Sequence, residues 1–353
     1  VLVIGELSGI SRNLSYGFKS LGINTKLISY GNGRRWKGDI DLHGPSIFGY
    51  YPFKNIMPFV YIPRLLFFDL VIIADKSTFN IRFGINRALI NLIIKMSKFS
   101  VYWVAACDSF SPNALQKIEH NKRICNGCLN DSNLTTCDLV NYEQVKDHQF
   151  IIKNVDFIVP AADDYALVYK LEYSGTKLVN KINFALDVSK IPTPEYSINN
   201  RKISFYHGIT RPGFKGSENI LSALNILKRK YPLDVEIVSK NFVKPENYLA
   251  ELEKHDVLVD QLYGAGMGMN TLIGLSLKKV VVSGIAKSNI GNSSPVFHFE
   301  NDNVENMFQV IENVFLLRKN FGLIGQDGRK FVEKNHNPKI IAQHFLNLSN
   351  QIV

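Results

Sequence analysis

The residues best placed to do chemistry lie in the segment 207–216, HGITRPGFKG. It carries two cations, Arg211 and Lys215, with Gly213 and Gly216 letting the backbone approach a ligand closely. A guanidinium is a forked donor and an ammonium a point charge. Placed at the start of a helix, the two suit a diphosphate. The bland alternative is a basic strand-to-helix loop with no ligand. A second segment, 260–284, reads DQLYGAGMGMNTLIGLSLKKVVVSG. Gly264, Gly266 and Gly268 would let the amides of Met269, Asn270 and Thr271 face an anion at a helix start. A tight turn needing positive φ would also use these glycines. Together the two loops form a two-sided phosphate site. Gly9, Gly213, Gly266, Gly268, Met269, Asn270 and Thr271 are its expected donor-binding residues.

Such loops need strands to hold them. Apolar runs read as buried parallel strands at VLVIG, NTKLISYG, FDLVIIA, SVYWVAAC and VDFIVPA, alternating with helical spacing over 11–21, 83–98 and 164–173. The turn from Gly5 to Gly9 is not G-x-G-x-x-G, so the dinucleotide fingerprint is absent. The stretch 191–201, IPTPEYSINNR, reads as a linker. The alternation then restarts with strands KISFYHG, DVEIVSK, VLVDQ and VVVSG, and with helices over 217–231, 245–254 and 270–277. Helices over 303–319 and 338–352 close the chain. The expected fold class is therefore α/β, with two Rossmann-like doubly wound domains facing across a cleft. The first domain is 1–190, the linker 191–201, the second domain 202–335, and a final helix over 336–353 packs back on the first.

Composition narrows the function classes. The chain has 353 residues, with 46% hydrophobic and 20% charged side chains, which excludes a disordered or fibrous protein. No apolar run approaches the length of a membrane span, and VLVIGELSG does not read as a secretory leader. Net charge is +10, and residues 1–100 hold 13 Lys/Arg against 5 Asp/Glu. That excess suits an anionic partner or a solvated basic surface. No helix-turn-helix, RNP or KH pattern points to nucleic acid. Between Phe48 and Phe68 the chain is aromatic and apolar with Lys54 and Arg64. That stretch could rest on an anionic membrane, though a core strand and loop is the favoured expectation. Cys125, Cys128 and Cys137 form C-x2-C-x8-C, with His120, Asp138 or Cys107 as a fourth ligand for a structural zinc. Reduced thiols are preferred, and no other metal or cofactor is expected.

These residues resemble the donor half of GT-B glycosyltransferases, in particular the retaining enzymes of family 4 (group 1). Arg211, Lys215 and Gly216 match that family's R-x(3–5)-K-G loop. Residues 263–282 follow its Y-E-G-F-G-x-P-x-L-E-A-x-A-x-G-K-P-V-V segment without a gap. KINFALDVSKI resembles the interdomain P-N-G-V-D motif through Ala185, Leu186 and Asp187. AACDSF resembles T-V-H-D-Y, with Asp108 on its Asp, and some members carry a Cys-rich insert just after it. The resemblance implies transfer of a sugar from a nucleotide-sugar to a glycan, lipid-linked or other glycoconjugate acceptor, with retention. It implies a hexosyltransferase in the cytoplasm, on or near the inner face of a membrane. Arg211, Lys215 and Asp108 are the expected catalytic residues. Asp108 has an alternative role in capping the next helix.

The departures are specific. The family's E-x7-E pair falls on Ala265 and Ile273, its active-site His on Cys107, its loop Pro on Asn270, and a Gly on Lys278. A scaffold that keeps the fold and has lost catalysis is therefore the rival expectation. A sugar-phosphate epimerase of the same shape would need a set of acid–base carboxylates that the sequence does not display.

Overall fold

A computed structural model of the chain describes residues 1–30, 37–44, 53, 55–76, 78, 79, 81, 84–117, 128, 141–195, 202–264, 266–284 and 295–349. It divides into two compact units. One comprises Val1–Ala114, Asp138–Asp187 and His336–Val353; the other comprises Leu115–Cys137 and Val188–Asn335.

The first unit is built on six parallel strands: β1 (Leu2–Ile4), β2 (Lys26–Ser29), β3 (Ile40–Asp41), β4 (Leu70–Ile73), β5 (Phe99–Val104) and β6 (Phe157–Pro160). Their order is β3-β2-β1-β4-β5-β6, the doubly wound order, with its switch point between β1 and β4. These strands are short apolar runs because both sheet faces are covered; β1, β4 and β5 are buried throughout. Helices α1 (Ile10–Ser20), α2 (Met57–Tyr61), α3 (Ile85–Lys95), α4 (Ser111–Lys117, which runs past Ala114) and α5 (Tyr142–Asn154) lie between the strands, and α6 (Asp163–Glu172) follows β6. Gly5 and Gly9 adopt left-handed φ of 91° and 87° in the turn that opens α1.

The second unit has five parallel strands: β7 (Ile203–Gly208), β8 (Val235–Lys240), β9 (Val257–Val259), β10 (Val280–Val282) and β11 (Val296–Phe297). Their order is β11-β10-β9-β7-β8, so the switch point lies between β7 and β9. The crossovers hold α7 (Pro212–Lys215), α8 (Ser217–Lys230), α9 (Pro245–Glu253) and α10 (Met269–Ser276), followed by α11 (Val304–Leu316) and α12 (Phe321–Asn335). Ile220, Leu224 and Leu227 recur on one face of α8 and pack with Phe205, Val259, Ile311 and Phe315 in the core. The last helix, α13 (Pro338–Ser349), belongs to the first unit. There it lies so close to α1 that a Cβ on Gly17 would sit 2.0 Å from the Pro338 carbonyl oxygen.

The expected strands are present, as two parallel α/β sheets. Helix α12 is not among the expected helices, and its Gly322, Gly325 and Gly328 are poor helix formers. Tertiary packing explains two of them. A Cβ on Gly325 would meet the Lys278 carbonyl oxygen at 2.1 Å, and one on Gly328 would meet the Leu275 side chain at 2.9 Å. The stretch between Phe48 and Phe68 departs from the expected core strand. Its described part is α2 followed by a single 3-10 turn, Ile62–Arg64, and it exposes large apolar side chains.

Candidate functional site

In an open α/β sheet a ligand meets the carboxyl ends of the strands flanking the switch point. In the second unit those strands are β7 and β9, and their following loops are the two segments singled out from sequence. The β7 loop ends in the single turn α7, closed by Gly216 at φ 64°. The β9 loop ends at Gly268, the residue preceding α10. The loops are pinned together, because the Leu262 N–H donates to the Lys215 carbonyl oxygen at 2.9 Å.

The centre of this site is Asp260, immediately after β9. Lys215 Nζ donates to Asp260 Oδ1 at 3.0 Å, and Thr271 Oγ1 donates to Asp260 Oδ2 at 3.0 Å. Asn270 Nδ2 approaches Oδ1 at 3.4 Å. Asp260 is 1% exposed and Lys215 4%. Burial opposes the Asp260 charge, yet the Lys215 ammonium and the donors on Lys215, Thr271 and Asn270 hold its carboxyl below the usual range. The structure thus brings Lys215, Asn270 and Thr271 onto one carboxylate. The sequence reading treats Lys215 as a point charge on the ligand and omits Asp260. Its only local signal is a carboxylate at the end of the apolar run VLVD. An ammonium has three N–H donors. Among the described residues Asp260 takes one of them, leaving donor capacity for a ligand oxygen.

His207 supports the same loops from beneath. Its Nδ1–H donates to the Val259 carbonyl oxygen at 2.7 Å, and its Nε2 accepts from Ser217 Oγ at 2.8 Å. Burial pushes its pKa down to about 4, so the ring is neutral and bridges β9 to the head of α8. Arg211 is exposed, with its guanidinium 4.0 Å from the centre of the Phe214 ring. Because Lys215 and Asp260 neutralise each other, Arg211 carries the net positive charge among these groups. Gly213 accepts the Gly216 N–H at 3.2 Å, closing the turn. Gly266, Gly268 and Met269 are half-buried. Ile273 is half-buried on α10, and Ala265 lies outside the described residues.

Gly9 and Asp108 belong to the first unit. The Gly9 N–H donates to the Glu6 carboxylate, which also accepts the Arg12 N–H at 2.9 Å. The chain's own carboxylate thus occupies the N-terminal amides of α1. Asp108 is fully buried. Its Oδ1 accepts the Phe110 N–H at 3.0 Å, ahead of α4. Its Oδ2 accepts the Tyr169 hydroxyl at 2.6 Å and lies 3.2 Å from His148 Nε2. His148 Nδ1 in turn meets Ser109 Oγ at 2.6 Å. Burial opposes the Asp108 charge, but His148, Tyr169 and Lys76 hold its carboxyl below the usual range. Cys107, at the family's His position, is exposed. Cys125 and Cys137 of the zinc expectation lie outside the described residues, as do His120 and Asp138. Among the described residues no group of three metal-binding side chains occurs.

No protein-family model matches the sequence, and no curated protein matches it. Solved structures do. A sucrose-phosphate synthase from Thermosynechococcus elongatus superposes with a TM-score of 0.64 at 11% identity, covering 99% of this chain and 98% of that one. An alpha-glucosyltransferase in complex with UDP-glucose and DNA containing an abasic site gives 0.61 at 9% identity, covering 98% of each. The chain has the GT-B fold. A UDP-GlcNAc 2-epimerase from Neisseria meningitidis, bound to UDP-GlcNAc, also superposes, with a TM-score of 0.54 at 11% identity over 99% of each chain. The GT-B fold therefore hosts more than one chemistry, and function has to be argued from the site.

Proposed function

We propose that the chain is a glycosyltransferase that moves a hexosyl group from a nucleotide-sugar to a glycan or lipid-linked acceptor, in the manner of the family 4 retaining enzymes. The observation that carries this reading is the buried Lys215–Asp260 pair beside exposed Arg211 and the start of α10, all at one switch point. The donor diphosphate would lie against these groups, with Arg211 bridging its oxygens and Lys215 donating to one of them. The bond from the anomeric carbon to the diphosphate oxygen breaks as charge grows on that oxygen. The acceptor hydroxyl attacks the same face, and its proton passes to the leaving oxygen. The protein then contributes position and preorganised positive charge, so the work does not require a carboxylate base. Nucleotide-sugars appear in two of the superposed structures, the glucosyltransferase and the epimerase. The transferase reading is preferred to the epimerase because Asp260, the carboxylate of this site, is committed to Lys215, Thr271 and Asn270.

A thermal-shift screen with UDP, GDP, ADP and CMP and their sugar conjugates tests the reading. Ligand at about 100 times its dissociation constant adds about 2.7 kcal/mol, a shift of several degrees. The expected result is a rise with one nucleotide diphosphate, weakened in Arg211→Ala, whose exposed side chain is not needed for folding. Transfer from the matching sugar conjugate should fall with it. No shift with any of them would remove the basis of the reading. A shift without transfer to any acceptor would favour the second reading, a non-catalytic scaffold, which Ile273 at the second position of the family's E-x7-E pair supports.

A further inference from the structure

The first unit carries an apolar surface that the transfer chemistry does not use. Five of the fourteen exposed large hydrophobic side chains among the described residues fall between Phe53 and Phe67: Phe53, Ile56, Phe59, Val60 and Phe67. Helical spacing puts Ile56, Phe59 and Val60 on one face at the α2 turn, and Ile56 and Val60 are 57% and 58% exposed. Pro58 and Leu65 are buried and tie the segment down. Phe67 is 74% exposed and has a left-handed φ of 65°, a conformation that a phenylalanine rarely adopts.

Charge along this stretch of the sequence has one sign. From Leu42 to Phe68 there is no Asp or Glu, while Lys54 and Arg64 are present. The acidic residues that bracket the stretch are paired: Asp41 lies 3.5 Å from Lys37, and Asp69 lies 2.5 Å from Lys98. Phe, Ile and Val offer no hydrogen-bonding groups, whereas a protein interface carries about one hydrogen bond per 100–200 Å². An apolar face beside exposed Arg64, on a stretch that has no carboxylate of its own, complements an anionic bilayer, with the rings in the acyl boundary and the guanidinium among the headgroups. No described helix is long and apolar enough to cross a membrane, so this segment would lie on the bilayer.

We propose that the segment 55–67 is a membrane-docking wedge, with Phe59, Val60 and Phe67 entering an anionic bilayer surface. The proposal does not depend on the transferase reading. Its test is co-sedimentation of the full chain with vesicles of phosphatidylcholine alone, or mixed with phosphatidylglycerol, at low and high salt. The wild type is expected to sediment with the phosphatidylglycerol vesicles, less so as salt rises. Phe59→Ser/Val60→Ser and Phe67→Ser should each bind about tenfold more weakly or worse. Both should keep the melting transition and any nucleotide shift of the wild type. Leu233→Ser, which alters an exposed apolar residue of the other unit, should bind as the wild type does. Two results would overturn the wedge: a wild type that stays in solution with phosphatidylglycerol vesicles, or a double variant that binds within about twofold of it. Concentration-dependent self-association abolished by the double variant, without vesicle binding, would assign the face to a second copy instead.

Discussion

Replacing Lys215 by Met removes the ammonium and keeps most of the side-chain volume. Among the described residues, buried Asp260 is then left with Thr271 and Asn270 alone donating to it. Breaking a buried pair from one side costs about 3–5 kcal/mol, because the surviving charge has neither water nor counter-ion. For a unit of this size, about 2–4 °C is lost per kcal/mol, so the melting point should drop by roughly 6–20 °C. Adding Asp260→Asn removes the orphan charge. The double variant should recover most of the loss, with a coupling energy of about 2–3 kcal/mol. The sign with pH is also fixed. In the wild type the Asp260 carboxyl is depressed, so its contribution is complete above the ordinary carboxylate pKa and fades as pH falls through the depressed value. In Lys215→Met, burial without the cation raises that pKa. The deficit is therefore largest at neutral pH and narrows toward acid. The assay is thermal and urea unfolding of the wild type, the two single variants and the double variant at pH 7 and near pH 4. A Lys215→Met cost below about 1 kcal/mol, or strictly additive variants, would refute the paired, buried geometry. The stable double variant then separates folding from ligand binding, because it keeps the fold and lacks the ammonium.

Two further outcomes are expected. His207 is held neutral with its pKa near 4, below its unfolded value, so stability is present above pH 6.5 and lost as pH falls toward 4. His207→Gln should remove about one proton, or about 1.4 kcal/mol per pH unit, from the slope of unfolding free energy in that window, read by urea titration; an unchanged slope would contradict its burial. Gly17→Ala forces a Cβ into the Pro338 carbonyl, so it should destabilise the first unit by about 1–3 kcal/mol, seen as a lowered melting point. A neutral result there would mean that α1 and α13 are not in close contact.

Much of this architecture was legible because it is local. A strand buried on both faces must be apolar along its length, so β1, β4, β9 and β10 announce themselves in sequence. The two loops after β7 and β9 show their glycines and cations in the same local way, and strand order alone then makes them neighbours. What the sequence leaves open is set by pairing across distance. Asp260 meets Lys215 across 45 positions, and Asp108 meets Tyr169 across 61. No local pattern distinguishes a carboxylate that will be buried against an ammonium from one that will face water. The glycines of α12 are poor helix formers by themselves, and only the close passage of the Lys278 carbonyl and the Leu275 side chain shows what Gly325 and Gly328 make room for. The aromatic stretch before β4 reads as core by composition, and only the packing decides that Pro58 and Leu65 turn inward while Phe59, Val60 and Phe67 remain outside. Periodicity and turn chemistry are properties of neighbouring residues and survive in the linear text. Burial and charge pairing are properties of three-dimensional neighbours, and they exist only once the chain has folded.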